Sequence, residues 1–293
     1  WRRGTHPLAL PLAWAALVFA SFGLLVLKTM RYFHPAYPVL ALTAAWLLAE
    51  LWRQRHRLAP FPPRLGAGLV AGAGALVVLA AGLWALAFVQ IYTRDHSRVA
   101  ASAWIYQNIQ PGAAIAIEHW DDALPLNLGD RSRDRYEYLE LAVFDREDAH
   151  KRATLMSTLS TADVLVLASN RGWGSIPRMP QRYPLAGRFY AALFAGELGF
   201  ERAAEFHSSP SLGPWRVDDA AAEEAFTVYD HPQVLIFRRN GDNAFALQTA
   251  FARVDERAAV PVLPRVATAR SYELTSERAA QVRQSFSWPA VFQ

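Results

Sequence analysis

Apolar and polar positions divide this chain into two unlike parts near residue 92. In the first part, three long apolar stretches stand out. Leu8 to Leu27 reads LALPLAWAALVFASFGLLVL and carries no charge. Its length, about 20 residues, is what a helix needs to cross a bilayer. Tyr37 to Leu51 reads YPVLALTAAWLLAEL, is shorter, and meets Glu50 at its end. Gly66 to Tyr92 is again long and uncharged, with room for tilt. The pattern therefore predicts three transmembrane helices, at about 8–27, 37–52 and 66–92. Trp52 and Tyr92 stand at span ends, where interfacial aromatics collect.

The second part alternates short strand and helix patterns. A helix is expected from Ser97, as cap, to about Asn108, with Val99, Ala103 and Tyr106 on one face. Pro111-Gly112 ends it, and AAIAIE (Ala113 to Glu118) reads as a buried strand. Asp145 to Leu159 reads as an amphipathic helix and DVLVLA (Asp163 to Ala168) as a second buried strand. A helix at Pro184 to Leu198 and a strand at Phe200 to Phe206 follow. Strands at Phe226 to Tyr229 and Gln233 to Arg238 then flank an Asp230-His231-Pro232 turn. This alternation predicts an α/β layer structure over 93–240. The segment 241–293 is polar, lacks a strong period, and is expected to be partly disordered.

Composition agrees with a mixed chain. Hydrophobic residues make up 53% of the 293 and charged residues 19%, too apolar for a disordered or fibrous protein. The absence of Cys excludes disulfides, Cys-ligated zinc, iron–sulfur clusters and Cys nucleophiles. A formal charge of +4 is too mild to argue for nucleic acid. The loop after the second span holds Arg53, Arg55, Arg57 and Arg64, against Lys28 and Arg31 after the first. The positive-inside rule then puts the four-Arg loop in the cytoplasm and everything after Tyr92 outside it. The chain begins at Trp1, with an apolar span opening almost at once, and is expected to be the C-terminal piece of a longer protein.

Gly66, Gly68, Gly72 and Gly74 imitate a nucleotide loop. No strand pattern precedes them, and Gly68 and Gly72 stand four apart, a spacing that lets membrane helices approach closely.

Three places offer chemistry. Glu118, His119, Trp120, Asp121 and Asp122 follow the AAIAIE strand, at the strand end where ligands gather in open α/β sheets. Three carboxylates and an imidazole could bind a divalent cation or exchange protons, and the Trp face suits a sugar ring. A polar loop with an Asp-capped turn is the structural alternative. Asn170, Arg171, Trp173 and Arg178 follow the DVLVLA strand and could form an anion or sugar site, or an ordered loop paired to nearby carboxylates. Lys28, Arg31 and His34 recur every three residues and share one side of a helical turn. Such cations could hold a lipid phosphate or simply snorkel. No catalytic triad signature, HExxH, Walker A or EF-hand loop is present.

The run KTMRYFHPAYPVLAL resembles the Arg-Tyr-x-x-Pro-x-x-Pro segment of polytopic membrane glycosyltransferases of the GT-C type, similar to family 39. The runs SRVAASAWIYQNIQPGAAIAIEHWDDALPL, SNRGWGSIPRMPQRYPLAGRFYAALFAGELGF and FTVYDHPQVLIFRR resemble the C-terminal end of bacterial and archaeal multi-spanning proteins carrying the DUF2298 (Chlor_Arch_YYY) label. This resemblance spans roughly residues 20 to 240. It implies a polyprenyl-phosphate-linked sugar donor, transfer on the outer face of the cytoplasmic membrane, and a donor phosphate near Lys28, Arg31 and His34. The catalytic acid of such enzymes lies in an early outer loop with no counterpart here, so no catalytic residue is carried over. The alternatives are a membrane-anchored, non-catalytic carbohydrate-binding or scaffolding module, and an anchored soluble enzyme whose nucleophile and base are not found.

Overall fold

The computed structural model describes residues 8–25, 29–55 and 63–260. All elements below belong to one compact unit, Trp1–Ala259.

The apolar part forms helices α1 (Ala9–Gly23), α2 (Met30–Phe33), α3 (Tyr37–Arg53) and α4 (Pro63–Val89). A 3-10 turn, His34–Ala36, joins α2 to α3, so that Met30–Arg53 runs as 24 helical residues. This run and α4 are long and apolar enough to cross a membrane. α4, with 27 residues, is about 40 Å long. Few of the side chains in these two helices are buried, which separates them from core helices of a soluble domain. α1 covers 15 residues, short of the expected span; a turn at Leu24 and a bend at Leu25 follow it. Of the three expected spans, two therefore reach full length among the described residues. Gly66, Gly68, Gly72 and Gly74 lie within α4 rather than in a loop. A Cβ placed at Gly68, Gly72 or Gly74 meets nothing, so no described helix approaches them closely.

A 3-10 turn, Gln90–Thr93, leads to α5 (Ser97–Asn108), β1 (Ala114–Glu118), β2 (Glu137–Leu141), α6 (Ala149–Thr161) and β3 (Val164–Leu167). Then come α7 (Pro184–Phe194), β4 (Phe200–Phe206), the short β5 (Ser211–Leu212) and β6 (Trp215–Arg216), α8 (Glu224–Thr227), β7 (Val234–Arg239) and α9 (Ala244–Phe251). Five strands form a mixed sheet in the order β2-β1-β3-β7-β4. β1 is parallel to β2 and β3, and β7 is antiparallel to β3 and β4.

Strand alternation builds two cores. Ala116, Leu165, Leu167, Leu235 and Phe237 face one side, under α6, α7 and α9. Ile115, Ile117, Val164, Val166, Val234 and Ile236 face the other, under Ala101 and Ile105 of α5. The period of two thus fills an α/β/α sandwich.

Several local expectations are corrected. The cap of α5 is His96, whose Nδ1 accepts from the Arg98 amide, and Ser97 is the first helical residue. The buried face of α5 is Arg98, Ala101, Ser102 and Ile105, not Val99, Ala103 and Tyr106. Polar residues on the buried face hid its period. Phe226 to Tyr229 is not a strand, because Glu224–Thr227 forms a helical turn. In the polar segment after 240, α9 docks Leu247 and Phe251 into the core, anchored by Asn243 on the carbonyls of Leu159 and Leu198. Residues 261–293 lie outside the described residues.

Candidate functional site

β7 runs antiparallel to β3, with Leu167 opposite Leu235. The start of β7 therefore lies beside the ends of β1 and β3. Three loops meet there: 118–122, 168–178 and 219–233. Ligands in open α/β sheets gather at this end.

Glu118 is the last residue of β1 and is buried. The hydroxyl of Tyr190, on α7, donates to its Oε1. Its Oε2 has no hydrogen-bond partner among the described residues. Burial, with Asp121 nearby, pushes its carboxyl up to about 8, against the opposing pull of Tyr190 and Arg171. Burial also raises the Tyr190 phenol well above its ordinary value. Gly172 lies directly over this pair, and an added Cβ would run into Tyr190 Oη and Glu118 Oε1.

The two aspartates turn to a residue the sequence pattern missed. Arg98 Nη2 bonds Asp121 Oδ1 at 2.9 Å and Nη1 bonds Asp122 Oδ2 at 2.5 Å. Arg98 Nε also donates to the carbonyl of Ala168 at 3.3 Å. Asp121 Oδ2 accepts from the hydroxyl of Ser169, which ties the β1 loop to the β3 loop. Arg98 and Tyr190 are distant in sequence and sit within apolar helix patterns. An arginine in the first turn of α5 was the one available signal.

Trp120 has φ +74°, in the left-handed region that non-glycine residues seldom occupy. The residue is 67% exposed, and its ring stacks on His119, with centroids 5.1 Å apart and planes 9° apart. Arg171 holds this turn through Nη1 on the Trp120 carbonyl, and its Nε bonds Glu224 Oε1 at 2.8 Å. Asn170 Nδ2 bonds the Ala222 carbonyl at 3.1 Å. The remaining expected residues divide. Trp173 turns into the core, edge-on to Phe194 at 5.8 Å. Arg178 is exposed, and its side chain makes no hydrogen bond or ion pair among the described residues.

The cations expected at 28–34 are brought to the same end in part. Glu223 Oε2 accepts from Thr29 Oγ1 at 3.4 Å and from the Met30 amide at 3.3 Å. Arg31 Nη1 bonds the Tyr229 hydroxyl at 3.3 Å. His34 packs edge-on to Tyr37 at 5.2 Å. Lys28 lies outside the described residues. The end of α4 is stitched to the same loops. Tyr92 bonds Asp230 at 2.9 Å and Ser97 bonds the Pro232 carbonyl at 2.6 Å. Phe88 packs edge-on to the buried His231 at 5.7 Å, and that ring bonds Asp219 at 2.8 Å.

The carboxylates of 118–122 do not converge on one centre: Asp121 and Asp122 both pair with Arg98, and Glu118 turns to Tyr190. Among the described residues, no group of three or more His, Asp or Glu is arranged to hold a metal ion, which the cluster at 118–122 could have offered. An open groove of about 940 Å³ lies at the opposite end of the sheet, lined by Asp163, Arg238, Arg239 and their neighbours. Its Asp163 and Arg239 pair at 2.8 Å, and it holds none of the expected site residues.

In comparisons with known proteins, no protein family, no curated protein and no solved structure matches this chain.

Proposed function

We propose that this chain is the C-terminal part of an integral membrane glycosyltransferase that uses a polyprenyl-phosphate-linked sugar donor at the outer face of the membrane. In this reading α1, α3 and α4 span the bilayer, and the α/β domain stands outside the cytoplasm. The observation that carries it is the contact between the membrane-edge turn and the strand-end loops, Thr29 and Met30 on Glu223 and Arg31 on Tyr229. A cation at the headgroup level thereby shares one surface with the loops that display Trp120 and Arg171. Arg31 would offset charge on a departing lipid phosphate, and Trp120 would stack on a sugar ring of the acceptor.

The test is binding of a polyprenyl phosphate to the protein in nanodiscs. Loss of a charge-assisted contact removes about 1.5–3 kcal/mol, so Arg31→Ala should weaken binding roughly tenfold or more. Equal affinity of wild type and variant would reject the phosphate role.

One observation favours a second reading, a non-catalytic carbohydrate-binding or scaffolding module. Glu118, Asp121 and Asp122 are all engaged with Tyr190, Ser169 or Arg98. Asp121 is held at both oxygens and Glu118 is buried, so neither stands as a solvent-facing base. Sugar binding without transfer by the protein as its gene encodes it would support this second account.

A further inference from the structure

We infer that the β5–β6 hairpin inserts its apolar face into the interfacial layer of the bilayer, as a second membrane contact beside α4. The hairpin is short. Ser211 pairs with Arg216 and Leu212 with Trp215, around a turn at Gly213, whose φ is +60°. The Val217 amide extends the pairing to the Pro210 carbonyl at 2.9 Å. Directly paired residues share a face, and alternate residues return to it. Leu212, Trp215 and Val217 therefore stand on one side, and Ser211 on the other.

Ser211 and the apolar trio differ in burial, while Arg216, on the side of Ser211, is exposed. Ser211 is buried, and its hydroxyl accepts from Arg94, whose Nη1 also reaches the Ser209 carbonyl at 3.4 Å. Leu212, Trp215 and Val217 are all exposed, Trp215 at 79%. Three large apolar side chains on one face of a two-stranded ribbon call for a partner.

Position in the fold says which partner. β5 packs against the end of α4 and the Gln90–Thr93 turn that follows it. α4 is about 40 Å long, roughly 10 Å more than the hydrocarbon core of a bilayer, so its final turns reach the headgroup layer. Arg94 pins the hairpin at that level. Trp is favoured at this depth, with its ring among the upper acyl chains, and Arg216 next to it can reach lipid phosphates. A bilayer thus covers the face without any further chain. The inference needs α4 to span the membrane but not the transferase reading.

The absence of Cys allows one unique label per variant. Trp215→Cys and, as a second probe of the same face, Leu212→Cys are labelled with an environment-sensitive fluorophore in the full chain in nanodiscs. Trp120→Cys serves as a water-exposed comparison. The expected result is a blue-shifted emission at 215 and 212, with most of the intensity lost when the lipids are brominated near the top of their acyl chains. The label at 120 should keep its intensity. Emission at 215 and 212 typical of water, quenched by iodide and indifferent to brominated lipid, would overturn the inference. A blue shift without quenching by brominated lipid would overturn it too, and would point to a second copy of the chain on this face.

Discussion

Tyr190 donates its hydroxyl hydrogen bond to Glu118, joining the last residue of β1 to the middle of α7. The bond lies in the interior, where charge is costly, and the Glu118 carboxyl is raised from 4.5 to about 8. The folded chain thus holds a proton at neutral pH that the unfolded chain releases. Between these two values the native state binds more protons, so stability falls as pH rises and the loss is complete above about 8. Glu118→Gln keeps the shape and removes the titration. Thermal unfolding measured from pH 4.5 to 8.5 should fall with pH for wild type by an amount on the order of a few kcal/mol, and the variant should lose most of that slope. Parallel profiles would show that Glu118 titrates normally.

Gly172→Ala should destabilise strongly, because the new methyl runs into both Tyr190 Oη and Glu118 Oε1. Both atoms are buried and held, so relief requires moving the loop or breaking the bond. Overpacking of this kind costs about 1–3 kcal/mol. Gly187→Ala, on α7, meets open space and should be neutral or slightly stabilising. Denaturant midpoints of the two variants in detergent check the contrast.

Arg98→Ala should be the most damaging of the charge changes at this end. Arg98 is buried and pairs with Asp121, which is itself buried beneath Ser169. Removing one partner of such a pair strands the other charge and costs about 3–5 kcal/mol. Arg202→Ala, whose partner Glu205 lies on the surface, should change stability by less than about 1 kcal/mol. Melting temperatures of the two variants give the comparison.

Trp120→Gly should raise stability, because glycine adopts the φ of +74° without strain. The gain expected is about 1 kcal/mol. The same substitution removes the exposed ring, so heat from titration with oligosaccharides should vanish as the melting temperature rises. A variant that binds sugars as wild type does would remove Trp120 from the proposed function.

The sequence made the strands of the central sheet legible wherever they were buried on both faces. AAIAIE and DVLVLA are continuous apolar runs, and the structure places both at the centre of the sheet. β2 is an edge strand, EYLEL, with charges along it, and gave no such run. The burial of Arg98 and Ser102 on α5 misdirected the reading of its face, because polar residues there are satisfied by atoms far away in sequence. The loops 118–122 and 169–171 could be placed at one sheet end from strand position alone. That Glu118 turns inward to Tyr190, while Trp120 turns outward, depends on packing between elements 72 residues apart.

The most direct test of the account follows sugar as it leaves a lipid. Membranes bearing the protein as its gene encodes it are supplied with a radiolabelled, polyprenyl-phosphate-linked sugar, and label remaining in the lipid phase is counted against time for wild type and Arg31→Ala. The account predicts transfer by wild type and a rate at least tenfold lower for the variant, with both proteins folded to the same degree. Label that stays on the lipid with wild type, or leaves equally fast with Arg31→Ala, would contradict it.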